Sequence, residues 1–143
     1  MAKLRVEVVS AERQLLAEDD VDMVVAPGSE GTLGILPKHA ALLTLLAPGV
    51  LRIKKNGQES AMAVGGGFLQ VNRDRVLVLA DTAEREDEID EARATEAREQ
   101  AETALKEAAK GGAPLQVQAA RVALSRSMAR LNVVRRRRRT LGS

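Results

Sequence analysis

The side chains able to do chemistry in this chain are few, and most are arginines. Arg126 and Arg130 fall one helical turn apart, so both guanidinium groups would meet one ligand or one partner. Asp90 and Arg93 stand at i and i+3 and share a helix face; an arginine there can hold phosphate oxygens, lie on an aromatic ring, or simply pair with Asp90. Arg135 to Arg139 are five adjacent cations, which repel one another and read as a solvated end. His39 is the single histidine. A catalytic histidine needs a nucleophile and an orienting acid within reach, and no such set is present, so His39 reads as a hydrogen-bonded turn residue. The run Gly28-Ser29-Glu30-Gly31-Thr32-Leu33-Gly34 has the glycines of a phosphate cradle. It lacks the following Lys-Ser or Lys-Thr and sits between strands, so its glycines serve positive φ and close backbone approach.

The elements that must position these groups change character near Thr82. Residues 1–83 carry nine basic and ten acidic side chains. Glu84 to Lys110 carries ten acids and five bases, and Ala113 to the end carries eight arginines and no acid. Leu4, Val6 and Val8 alternate with Arg5 and Glu7 as a half-buried strand, and Val21, Met23 and Val25 repeat the pattern up to Pro27-Gly28. Leu42–Leu46 runs to Pro48-Gly49; Leu51 and Ile53 alternate up to Asn56-Gly57, a hairpin signal. Ala61–Val64, Phe68–Val71 and Val76–Leu79 complete a series of short strands that reads as a sandwich or barrel over residues 1–82.

Residues 83–143 read as two helices. Glu86, Asp87 and Glu88 load a helix start with favourable negative charge, with Asp87 or Thr82 as the cap. Gly111-Gly112 ends the first helix and Pro114 begins the second, so the two are antiparallel neighbours. The expected seams are Ile89, Ala92, Ala97, Ala101, Ala104, Leu105 and Ala108 against Val117, Ala120, Leu124, Met128, Leu131 and Val134. Alanine buries little area, and apolar burial stabilises by only ~25 cal/mol per Å², so this hairpin is expected to be held weakly. There are no cysteines, which excludes disulfides and thiolate metal sites. No apolar run approaches the ~20 residues that span a bilayer. The N-terminus goes straight into strand alternation, so a soluble, intracellular protein is expected.

Three stretches together resemble the epsilon subunit of bacterial F-type ATP synthases: Pro27 to Ala40 with Gly31, Gly34-Ile35-Leu36-Pro37 and His39, then Val64-Gly65-Gly66-Gly67-Phe68, then Leu79-Ala80-Asp81-Thr82-Ala83-Glu84. The resemblance implies an α+β fold, a ten-stranded β-sandwich followed by an antiparallel two-helix hairpin. It implies a non-catalytic central-stalk subunit of a proton-translocating synthase, peripheral on the cytoplasmic face of the plasma membrane and without membrane insertion. The sandwich would hold the gamma subunit and c-ring. The hairpin would extend along gamma toward the alpha and beta subunits and restrain ATP hydrolysis.

Residue by residue, the resemblance implies that Gly31, Leu33, Pro37 and His39 lie near the rotor contacts, and that Arg121, Arg135 and Arg136 face an acidic stretch of a beta subunit. No cofactor is required. ATP would be a regulatory ligand of the folded hairpin, on Glu84, Ile89, Asp90, Arg93, Ala94, Arg126 and Arg130. Ala119 stands where strong ATP binders carry another arginine and Ser127 where alanine is usual. One lost charge-assisted contact removes ~1.5–3 kcal/mol, so ATP would bind weakly. The alternative is a basic nucleic-acid-binding module acting through the arginine tail. The near absence of aromatics and the neutral β part argue against it, and no nucleic acid is expected.

Overall fold

The computed structural model describes the backbone of residues 2–112 and 114–141 and the side chains of those up to 136. Alternation at the start becomes β1 (Leu4–Ser10), which lies parallel to β7 (Arg75–Ala80) and antiparallel to β2 (Gln14–Val21). β3 (Met23–Gly28), β4 (Gly31–Ile35), β5 (Leu42–Lys55), β6 (Gln58–Asn72) and β8 (Ala83–Arg85) complete the set. The order is β2-β1-β7-β6-β5-β3-β4, with β8 added along β6.

Eight strands stand among the described residues where the resemblance implied ten, and the chemistry of two corners explains part of the difference. Pro48-Gly49 and Gly65-Gly66-Gly67 look like breaks, yet β5 and β6 run straight through them in one unbroken register, Pro48 opposite Gly65. What changes there is the pleat. Even-numbered Leu46 faces the core before the corner of β5 and odd-numbered Leu51 and Ile53 after it. In β6, Met62 and Val64 give way to Leu69 and Val71. Gly66 and Gly67 permit the switch with φ of 105° and 127°; a Cβ on Gly67 would stand 2.1 Å from the Leu79 carbonyl oxygen. Both strands thus cross from one layer to the other, and the two layers enclose a core of Val, Leu, Ile, Met and Ala side chains.

One other strand expectation is corrected. Val21 ends β2 while Met23 opens β3, because Asp20 takes φ 58° and Asp22 turns out to accept from Lys3 and from the Asn56 N–H. Asn56-Gly57 does form the two-residue turn, with both φ positive.

The first helix begins later than its charge suggests. Ala83–Arg85 belongs to the sheet and Glu86–Glu88 forms a 3-10 turn, so α1 runs Glu91–Gly111. Its cap is Asp90, whose carboxylate accepts from the Arg93 N–H at 3.2 Å, rather than Asp87 or Thr82. Gly112 ends it in the left-handed region, and α2 (Pro114–Leu141) returns. The seam of α1 is Ala94, Ala101 and Ala108 at seven-residue spacing, not Ala92, Ala97 and Ala104. In α2, Met128 is exposed, and among the described side chains Ala120, Ser127, Ala129, Leu131, Val133 and Val134 are buried. No helix among the described residues is long and apolar enough to cross a membrane.

Candidate functional site

The two layers turn opposite outer faces to their surroundings, and only one is covered. Before its corner, β6 points Ala61 and Ala63 outward, beside Val50 of β5. These small side chains let α2 approach, and Ala129, Leu131, Val133 and Val134 pack there with Ile89 and Ala94.

A cleft of about 220 Å³ opens beside this contact, lined by Ala63, Gly65, Thr82, Glu84, Arg126 and Arg130, with Val64 and Ser127. β8 pairs with β6 so that Glu84 lies opposite Ala63, and the Gly65 N–H donates to the Thr82 carbonyl at 2.8 Å. Arg126 Nε donates to the Gly65 carbonyl at 3.1 Å, and Arg130 Nε to Glu84 Oε2 at 2.6 Å. Gly65 has to lack a side chain: a Cβ there would stand 1.9 Å from Thr82 Oγ1 and 2.9 Å from Arg126 Nε. Of the seven residues that resemblance assigns to ATP, the fold therefore gathers Glu84, Arg126 and Arg130 in one cleft. Ile89 and Ala94 are buried packing residues. Asp90 and Arg93 pair with each other at 3.8 Å as the cap of α1, and the Arg93 side chain is 84% exposed.

Further along α2, Arg136 lies 3.5 Å from Glu59, which also holds Arg52 at 3.3 Å. Arg121 and Arg135 are exposed. The side chains of Arg137 to Arg139 lie outside those described. Before α1, the Glu88 carboxylate accepts from the Arg85 N–H at 2.9 Å and pairs with Arg13 of the β1–β2 turn. These two contacts, the backbone one first, hold its carboxyl below the usual carboxylate range.

The other outer face is bare. Leu45, Phe68, Leu79 and Val9 stand in one cross-strand row over β5, β6, β7 and β1. Leu45, Phe68 and Leu79 are 53%, 49% and 48% exposed. Beside them runs the row Leu43, Gln70, Leu77 and Glu7, then Asn72, Arg75 and Arg5. The face thus grades from apolar to charged, with a shallow hollow of about 240 Å³ at its polar end. At that end the Arg5 N–H donates to the Asp74 carbonyl, and Asp74 accepts from the Lys38 N–H at 2.6 Å. This sets the loop of Pro37 and His39 beside the bare face. His39 is the turn residue its isolation suggests: its N–H donates to the Leu36 carbonyl at 3.2 Å, and Nδ1 lies 2.7 Å from the Ala40 carbonyl oxygen. Gly31 turns β3 into β4 with φ 133°, and Leu33 is half-buried against the core.

Sequence reasoning missed Gly65 and Glu59 as partners of the arginines, Thr82 as a wall of the cleft, and the row Leu45, Phe68, Leu79. A signal for the row existed. Its residues are large apolar side chains on the outward phase of strands whose inward phase is already apolar.

Residues 3–86 match the ATP synthase Delta/Epsilon chain beta-sandwich domain, and residues 87–135 match the long alpha-helix domain of the same chain. The ATP synthase epsilon chain of Dehalococcoides mccartyi is 47% identical over 139 residues, 97% of each chain. That of Herpetosiphon aurantiacus is 49% identical over 135 residues, 94% of this chain and 96% of the other. In fold, the chain is similar to one in the mitochondrial ATP synthase of Euglena gracilis, with TM-score 0.74 and 23% identity over 87% of this chain and 77% of that one. A second similarity is to a central-stalk and c-ring structure from Tetrahymena thermophila, with TM-score 0.52 and 22% identity over 60% and 69%.

Proposed function

The chain belongs to the ATP synthase delta/epsilon family, and from that premise we propose that it is a non-catalytic subunit of the rotor stalk of a proton-translocating synthase. The observation that carries this reading is the unequal treatment of the two outer faces. One is covered by the chain's own helices, while the other exposes a continuous apolar row. Folded chains keep such a surface for a partner. The gamma subunit is the occupant, seated on Leu45, Phe68, Leu79 and Val9, with Arg5, Glu7 and Arg75 at the rim. The loop with Pro37 and His39 sits at the polar end of this face, and the β3–β4 hairpin with Gly31 and Leu33 lies beside Leu45; both would meet the c-ring.

The hairpin supplies restraint of hydrolysis. It is joined to the sandwich chiefly by α2, through three arginines and a modest apolar patch that Ala94 of α1 shares, and so it can be exchanged for an extended state that reaches the alpha and beta subunits. Such a subunit works peripherally at the cytoplasmic face of the membrane. A regulatory ATP would use the Arg126–Arg130 cleft. At about 220 Å³ that cleft is below the ~300 Å³ at which ligand pockets begin, and Glu84 already holds Arg130. These residues fit a phosphate group more readily than a whole nucleotide, so the regulatory ligand would bind weakly. A nucleic-acid role gains no support, since Arg126, Arg130 and Arg136 are engaged by the sandwich.

Capture on immobilised gamma subunit from the same source tests the reading. The full chain should be retained, and a chain with Leu45, Phe68 and Leu79 all changed to serine should not. Equal retention of both would remove the assignment of the bare face.

A further inference from the structure

Three of the five non-glycine residues with positive φ among those described meet at the polar end of the bare face. Arg73 and Asp74, with φ of 49° and 60°, form the two-residue turn between β6 and β7, where Asn72 pairs with Arg75. Lys38, with φ 68°, is the third residue of the turn Leu36–His39, which the His39 N–H closes on the Leu36 carbonyl. Proline second and a positive φ third define a turn whose third position favours glycine. Lysine there carries the steric cost of left-handed backbone. Support comes from outside the turn, because Asp74 Oδ1 accepts from the Lys38 N–H at 2.6 Å.

The same contact decides what this surface presents. The Asp74 carboxylate is half-buried against the loop. Lys38, Arg73 and Arg75 are exposed, and their side chains make no ion pair among the described residues. Arg5, Arg52 and Arg85, the other arginines within strands, each hold a carboxylate. Glu7, the acid of the adjoining row, is taken by Arg5.

We propose that Asp74 is a positioning residue: it holds the Leu36–His39 turn where a glycine would otherwise be needed, and so aligns Lys38, Arg73 and Arg75 as a preformed three-cation knob for a carboxylate-bearing partner surface. The occupant rests on the rotor reading, since the knob lies at the end of the bare face that would meet the c-ring. The hold of Asp74 on the turn is a property of the isolated chain.

Two measurements on the full chain test it. The first is amide exchange at His39, followed by NMR. Asp74→Gly removes the carboxylate and suits φ 60°, so the β6–β7 turn is spared. It should speed His39 exchange about tenfold, the ratio an unheld left-handed residue implies. Asp74→Asn keeps the acceptor and should change exchange little. Adding Lys38→Gly to Asp74→Gly should restore slow exchange, because glycine needs no holding.

The second measurement is binding to an immobilised complex of gamma and c-ring from the same source. Asp74→Gly removes a negative charge from a basic surface, so charge alone would tighten binding to carboxylates. The positioning role predicts the opposite, about tenfold weaker binding, in proportion to the fraction of chains that still hold the turn. Arg73→Gln with Arg75→Gln should weaken binding and flatten its salt dependence while leaving His39 exchange unchanged. Unchanged His39 exchange in Asp74→Gly, or no recovery with Lys38→Gly, would overturn the hold on the turn. Undiminished binding by Asp74→Gly or by the double glutamine variant would overturn the knob. Failure of the unmodified chain to bind would overturn the rotor reading and the occupant with it, whereas His39 exchange judges the role of Asp74 separately.

Discussion

Phe68 is the centre of the bare row, flanked by Leu45 and Leu79, and its truncation to alanine gives a number that can be checked. An aromatic side chain buries ~150–250 Å² when fully covered. Phe68 is already half-covered by its own chain, at 49% exposure, which leaves roughly 100 Å² for a partner. At ~25 cal/mol per Å² that is about 2.5 kcal/mol. Alanine keeps the Cβ, so the loss should be about 2 kcal/mol, or roughly thirtyfold in Kd. Titration calorimetry of gamma with the unmodified chain and with Phe68→Ala gives both constants. The same substitution should also lower the melting temperature of the free chain, because about half of the removed surface already packs on its own strands, so both constants are taken at a temperature where both chains are folded. Leu115→Ala, at 87% exposure near the hairpin tip, is the matched control and should leave Kd unchanged. The reasoning is refuted if Phe68→Ala binds gamma as tightly as the unmodified chain, or if Leu115→Ala weakens it equally.

Four further outcomes are expected. Gly65→Ala should displace Arg126 and raise exchange in α2, while Gly57→Ala, whose Cβ would meet nothing, should leave α2 exchange unchanged. Ala101→Leu overfills the alanine seam and should cost about 1–3 kcal/mol of hairpin stability, read from the helical signal on heating. Glu88 has a depressed carboxyl pKa, so its contribution is complete above the ordinary glutamate value, about 4.3, and is lost as pH falls through the lower folded value. Exchange of residues 86–89 should therefore rise in acid, and Glu88→Gln should show that looseness at neutral pH. ATP should bind the free chain weakly, and Arg126→Ala should abolish what binding calorimetry detects.

Much of the fold was legible because it rests on short-range pattern. Leu4, Val6 and Val8, the Asn56-Gly57 turn and the change of composition past Thr82 are all local signals. What was not legible depends on pairing. Pro48-Gly49 and Gly65–Gly67 resemble chain breaks in sequence, and only their mutual register shows them to be one corner inside two long strands. β2 was missed because Glu18, Asp19 and Asp20 interrupt the apolar alternation on a strand with much of its length exposed. The alanine seam was read in the wrong phase for a simple reason. Alanines occupy so many positions of α1 that several stripes fit equally well, and facing side chains on α2 decide among them. Asp90 was noted for its pairing with Arg93, yet its role as cap became visible only once Ala83–Arg85 had joined the sheet. In the cleft, Arg126 and Arg130 were found by spacing and resemblance. Gly65 and Glu59 lie 61 and 77 residues from their arginines, with no local pattern to mark them.

The central claim, an anchoring sandwich with a restraining hairpin, is tested most directly by ATP hydrolysis in the reconstituted complex. The comparison is between the full chain and one ending at Glu88, which keeps β8 and the Glu88 contacts with Arg85 and Arg13. Both forms should assemble with gamma and the c-ring, and hydrolysis should be faster with the shortened chain. Equal hydrolysis by two fully assembled complexes would contradict the restraining role, and failure of the shortened chain to assemble would contradict the anchoring one.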